Sequence, residues 1–150
     1  MSGETDLIKL YSARILELAA DIPHIDELDA PDATAKRRSP LCGSTVAVEI
    51  KLEDGKIAAF GQEVKACAVG QAAASVVGSA IIGADRSMVE KARDQLKEML
   101  KNEGPVPDAP FDGLEVLIPA RDYKNRHASI MLVLEATLEA FDQALERSCA

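Results

Sequence analysis

The side chains of this 150-residue sequence with most chemistry to offer are three cysteines (Cys42, Cys67 and Cys149) and two histidines (His24 and His127). Cys42 lies in Leu41-Cys42-Gly43-Ser44, directly before a stretch of alternating apolar residues. Cys67 lies where the partner stretch gives way to an Ala-rich helical pattern. Its sulfur is therefore expected beside a helix N-terminus, where unpaired backbone N–H groups favour a thiolate. A hairpin between the two returns its second strand beside the start of its first, so Cys42 and Cys67 should face each other at one end. Two close thiols next to glycine suit a soft metal or sulfur transfer; the competing reading is a pair of buried small hydrophobes. His127 follows Arg121-Asp122-Tyr123-Lys124-Asn125-Arg126 at the start of the last helical pattern and can reach toward the same end. By itself it reads as a surface or partly satisfied histidine. His24 sits in a polar stretch and reads as solvent-exposed. Cys149, the penultimate residue, is expected to be disordered and is assigned no role.

Other chemistries find no residues. The glycines Gly55, Gly61 and Gly70 are too scattered for a phosphate loop, and no Lys-Ser/Thr follows them. No serine-centred nucleophile elbow is present, so an enzyme with its own catalytic machinery is the least expected outcome. Charge narrows the partners: 25 acidic residues against 17 basic ones give a net of −8, which repels nucleic acid and anionic membranes. An odd cysteine count at wide spacing does not fit a disulfide framework. The first twenty residues mix Glu4, Asp6, Lys9, Arg14 and Glu17 among apolar ones, unlike a signal peptide. Cys67 to Ala84 is the most apolar stretch, but it is rich in Ala and Gly and barely reaches spanning length, so it reads as a close-packed helix. A cytoplasmic chain with reduced thiols is expected.

The elements that must position these residues follow from periodicity. With 47% hydrophobic residues but only three Phe, two Tyr and no Trp, the core must be aliphatic and Ala-rich. The length suits one domain, 1–150. Apolar residues recur at helical spacing over about 5–22, with Thr5 as a plausible N-cap and Pro23 as the stop. Residues 23–40 hold three prolines and many charges and read as a surface linker before a core of 41–147. Thr45 to Leu52 alternates with period two, with Val46, Val48, Ile50 and Leu52 on one face. Glu53-Asp54-Gly55-Lys56 is a hairpin turn, and Ile57 to Val64 returns as the partner strand. Helices are expected over Ala68–Ile82, Arg86–Asn102 and Asn125–Arg147, with a proline-rich loop at 104–112 and a short helical turn at Phe111–Ile118. The order is that of an α+β fold, a small antiparallel sheet packed against helices.

Charge is unevenly placed along these elements. Lys36, Arg37 and Arg38, with no acid, make 36–44 +3; Arg121, Lys124 and Arg126 against Asp122 make 121–129 +2; Lys65 balances Glu63 in 62–70. The three segments total +5 and the remainder −13. If they converge, the thiols sit in a basic patch that favours thiolate and attracts anionic sulfur or an acidic partner surface, with Arg38, Lys65 and Arg126 as electrostatic support.

In order and spacing, from about Ser39 to Leu145, these pieces resemble the IscU/NifU/SufU-type iron–sulfur cluster assembly scaffolds. The resemblance is carried by Leu41-Cys42-Gly43, the hairpin with Asp54-Gly55-Lys56-Ile57, and Lys65-Ala66-Cys67-Ala68 before an Ala/Ser-rich helix. It continues in Ile118-Pro119-Ala120-Arg121 leading to Arg126-His127-Ala128-Ser129. In that family three cysteines and an aspartate form an accessible site for a transient cluster, or zinc in the isolated protein, with a histidine beside the third cysteine. The resemblance makes Cys42 the first cysteine, Cys67 the second and His127 the histidine. It also shows two departures: Ser44 stands where the aspartate is expected, and Ala128 where the third cysteine is expected. The proline-rich chaperone-recognition segment has no match. Three protein ligands at most then remain, and a four-coordinate metal needs water or an outside ligand. The resemblance implies a scaffold-like protein that binds iron or a transient 2Fe–2S cluster through this reduced set. Its partners would be a cysteine desulfurase or other assembly proteins, without nucleic acid or membrane. The alternative is a degenerate paralogue acting as a sulfur acceptor, a single-metal binder or a redox or regulatory protein on the same fold.

Overall fold

A computed structural model describes residues 12–40 and 43–149. The hairpin is its centre. Strand β2 (Thr45–Glu53) pairs antiparallel with β3 (Lys56–Lys65), in a register running from Thr45 opposite Lys65 to Glu53 opposite Lys56. At the turn Asp54 (φ 55°) and Gly55 (φ 77°) both take left-handed backbone, the geometry that lets a two-residue loop follow the twist of its strands. Val46, Val48 and Ile50 are buried as their alternation requires, and the register slips between Lys51 and Leu52.

The expected linker departs from expectation in its second half. Ala33–Arg38 is a strand, β1, paired antiparallel with β2 from Ala33 opposite Ile50 to Arg38 opposite Thr45. The sheet order is β1-β2-β3, so β1 is an edge strand. Only Ala33 and Ala35 of it are buried, while Lys36, Arg37 and Arg38 are exposed. Two small apolar residues and a run of cations carry no period-two signal, and long-range pairing to β2 makes the strand. Residues 21–32 ahead of it are fastened rather than loose. The Gln62 N–H donates to the His24 carbonyl (2.7 Å), Leu28 N–H to Glu49 Oε1 (3.1 Å) and Leu52 N–H to Asp32 Oδ2 (2.7 Å). His24 itself is exposed, as expected.

Helix α1 (Ala13–Ala20) starts at Ser12, whose Oγ accepts from Ile15 N–H (3.3 Å); the expected N-cap Thr5 lies outside the described residues. The remaining helices are α2 (Ala68–Ala80), α3 (Arg86–Lys101), a 3₁₀-helix (Asp112–Asp122) and α4 (Lys124–Cys149). The 3₁₀-helix extends the short turn foreseen at 111–118, and α4 runs through Cys149, where an unordered end was expected. Helix α4 packs on β1, β2, α2 and α3, burying Ile130, Leu134, Leu138 and Phe141. Helix α2 buries Ala72, Ala73, Ala74 and Val77, small residues that permit close approach of its neighbours. Among the described residues no helix is long and apolar enough to cross a membrane.

Candidate functional site

At the end of the sheet opposite the Asp54-Gly55 turn, three elements meet. Cys67 is the N-cap of α2, as the sequence leads one to expect, and is half-buried. Its backbone is extended (φ −68°, ψ 170°) and its carbonyl accepts from Gln71 N–H at 2.9 Å, closing the first helical turn. The thiol points at α4, where its Sγ lies 3.6 Å from Ser129 Oγ. The Ser129 hydroxyl in turn donates to Ser44 Oγ at 3.1 Å. Ser129 and Ser44 are both buried, so the thiol heads a line of two hydroxyls running into the protein.

Ser44 closes the loop ahead of β2. Its carbonyl accepts from Ser39 N–H (2.8 Å), and the Ser39 carbonyl accepts from Gly43 N–H (2.9 Å). Gly43 takes φ 72°, a conformation that side chains disfavour, and the Arg38 guanidinium lies close beside it. Cys42 lies outside the described residues; its flanking Gly43 and Ser44 are what the structure places at this corner.

His127 is buried, and one of its two ring nitrogens is engaged. Its Nε2 lies 3.0 Å from the Ala120 carbonyl and 3.1 Å from the Arg121 carbonyl. Carbonyls only accept, so Nε2 carries the proton and the lone pair of the neutral ring is on Nδ1. Ser129 thus meets Cys67, while the Nε2 of His127 is tied to the end of the 3₁₀-helix. Among the described residues no three His, Cys, Asp or Glu side chains gather as a metal-ligand set.

The basic segments partly converge. Arg37 and Arg38 from β1, with Arg121 and Lys124, line one groove of about 950 Å³ that also takes in His127 and Ala128. Lys65 is elsewhere, paired with Glu63 at 3.3 Å with both side chains exposed. Sequence reasoning assigned no role to Ser129: serine is common, and no spacing ties position 129 to position 67. Nor did it bring the cations of α3 to the groove, because they read as the solvated face of an amphipathic helix.

The chain is similar over most of its length to the N-terminal part of a nitrogen-fixing NifU-like protein from Brucella abortus, known from its crystal structure. The two are 43% identical, 95% of this chain and 99% of that one are covered, and the TM-score is 0.91. An iron–sulfur cluster assembly scaffold protein described for the SUF system of Fervidobacterium islandicum AW-1 shares the fold at 18% identity. There the TM-score is 0.78, with 89% of this chain and 98% of that one covered. No family model and no curated protein matches the chain.

Proposed function

This chain belongs to the NifU N-terminal-like family of IscU/NifU/SufU-type scaffolds, and on that premise we propose that it holds iron or a transient iron–sulfur cluster as cargo at the Cys67 corner. The observation that supports this most is the placing of Cys67: a half-buried thiol at a helix N-terminus, bonded to a buried hydroxyl. The thiolate is the metal-binding form of cysteine. When the Cys67 S–H loses its proton, the sulfur becomes an acceptor only. The Ser129 hydroxyl then turns to donate to it and accepts from Ser44 instead. The two hydroxyls can thus reverse without moving their oxygens, which stabilises the anion at small reorganisation.

Cys42 and Cys67 are the two thiolates of this reading, and the Nδ1 lone pair of His127 is the third donor. Ser44 and Ala128 replace the aspartate and cysteine expected at their positions, so the protein supplies at most three ligands. The open position is filled by water, sulfide or a partner's side chain, which suits cargo that must leave. Zinc would take the same donors. A cysteine desulfurase is the partner this chemistry calls for, as the source of sulfur, and the role is that of a scaffold rather than a catalyst.

Anaerobic reconstitution with ferrous iron and sulfide, read by visible absorption and Mössbauer spectra, tests the reading. A cluster is expected in the wild type and lost in Cys42→Ala and in Cys67→Ala. No cluster in the wild type, or an unchanged one in either variant, would overturn it.

A further inference from the structure

The groove beside His127 is more basic than the thiol corner needs. One wall carries Arg37 and Arg38 of β1, the other Lys97 and Lys101 of α3, and Met131 and Leu132 of α4 form an apolar floor. In all, seven cationic side chains and two acidic ones line it, a net of +5, which leaves −13 on the rest of a chain of net −8. The fold does not neutralise this charge. Arg93 pairs with Asp94 at 2.9 Å, and Arg121 donates to the Met99 (2.7 Å) and Gly104 (3.2 Å) carbonyls. Among the described residues no ion pair reaches Arg37, Arg38, Lys97, Lys101 or Lys124. Lys97 and Lys101 stand one turn apart on α3, a like-charge spacing that weakens a helix by a few tenths of a kcal/mol unless something anionic lies across it.

We infer that this groove docks an extended acidic segment of a partner protein. Arg93 to Lys101 is two turns of helix, about 12 Å, which is the length of about four residues of extended chain. The cations are spread along this length on two walls, so an extended segment engages more of them at once than a small inorganic anion does. Single-stranded nucleic acid fits less well, since no Phe, Tyr or Trp lines the groove for bases to stack on and the one ring there, His127, is buried. The position gives the docking a purpose. The floor rises along α4 to Ala128 and His127, and the β1 wall continues through Ser39 and Pro40 into the loop that carries Cys42. A partner held here lies against Ser39, Pro40, His127 and Ala128, the chain neighbours of the residues assigned to the site. This rests on the scaffold reading for its purpose but not for the binding itself.

The test uses metal-free protein and a fluorescein-labelled peptide, Asp-Leu-Glu-Glu-Leu-Glu, with its Asn/Gln counterpart, followed by fluorescence anisotropy. Reversing Lys97→Glu and Lys101→Glu together is expected to weaken the acidic peptide at least about tenfold, with Arg37→Glu weakening it independently from the other wall. Lys36→Glu with Lys51→Glu changes the net charge equally away from the groove and is expected to change affinity by less than about threefold; circular dichroism confirms that each variant is folded. Three results would overturn the inference: equal weakening by the control pair, equal binding of the Asn/Gln peptide, or displacement by tripolyphosphate at lower concentration than unlabelled peptide. Because no metal is present, failure here leaves cluster assembly untouched, and failure of reconstitution leaves peptide docking untouched.

Discussion

Ser129 owes its place to Gly70. A Cβ on Gly70 would collide with Ser129 Oγ and lie 2.9 Å from the Ala66 Cβ, so α2 and α4 come together here only because one of them lacks a side chain. That approach puts the buried hydroxyl within reach of Cys67. The position of Cys67 was legible in the sequence, because the change from alternating to helical pattern fixes the N-cap. The hydroxyl behind it was not, since its partner is 62 residues away and reaches it only through the helix crossing. His127 was half legible: its place at the head of α4 follows from the pattern, but its bonds to two carbonyls depend on the 3₁₀-helix ending beneath it. Ser129→Ala removes the donor that a Cys67 thiolate would use. With Cys42 and Cys149 replaced by alanine so that Cys67 is the sole thiol, Ser129→Ala is expected to slow its alkylation by iodoacetamide about fivefold at pH 7. That factor corresponds to one hydrogen bond of ~1 kcal/mol. An unchanged or faster rate, followed by mass spectrometry, would mean that the hydroxyl only packs.

Among the elements, the hairpin was legible because it is local: period-two residues flank an Asp-Gly turn, and no distant contact is needed to form it. Strand β1 was hidden because its neighbours in the sheet, not its own residues, make it a strand; Lys36-Arg37-Arg38 suit an exposed edge and look like a loop. Helix α3 was legible, and its start has a definite cause. Asp85 Oδ1 accepts from Met88 N–H at 2.9 Å and from the Ser87 hydroxyl at 2.7 Å. The Met88 bond first, and the Ser87 bond second, hold the Asp85 carboxyl below its ordinary range. Its contribution is therefore fully present above the ordinary carboxylate range, and is lost as pH falls through the lower folded-state value. Asp85→Ala is expected to destabilise the protein by about 1 kcal/mol at pH 7 in urea unfolding. The difference should shrink below about pH 4 as the wild-type carboxyl takes up its proton. A penalty that stays constant down to pH 2 would show that the side chain's role is steric.

Over the whole molecule, charge asymmetry was legible before any contact was known, but its location was only partly so. Arg37, Arg38, Arg121 and Lys124 do converge, whereas Lys65 turns away to Glu63 and α3 completes the ring of cations instead. β1 reaches that ring through its ladder with β2, and the segment 21–32 that leads into it is fastened separately, with Gln62 as its pin. Its Nε2 donates to the Pro23 carbonyl and to the Ala74 carbonyl, both at 3.1 Å, joining the segment to β3 and α2. Gly78 leaves the space for it, since a Cβ there would lie 2.6 Å from that nitrogen. The same side chain has a buried oxygen, Oε1, without a hydrogen-bond partner among the described residues, so its presence is a compromise between two bonds made and one forgone. Gln62→Leu removes all three at once. Losing the donors leaves the Pro23 carbonyl unpaired, and losing the orphan oxygen relieves a penalty, so the net destabilisation is expected to be modest, about 1–2 kcal/mol. Its local effect should be larger than its global one. The bonds of Leu28 and Gln62 N–H to Glu49 and His24 then stand without their anchor, and hydrogen exchange at these two amides should accelerate well beyond that at Val46 or Val48 in the middle of the sheet. Uniform acceleration across the sheet would instead mean that Gln62 supports the core as a whole. Loosening confined to 21–32 would show that this segment is a latch that opens separately from the ladder holding Arg37 and Arg38 opposite Val46 and Thr45.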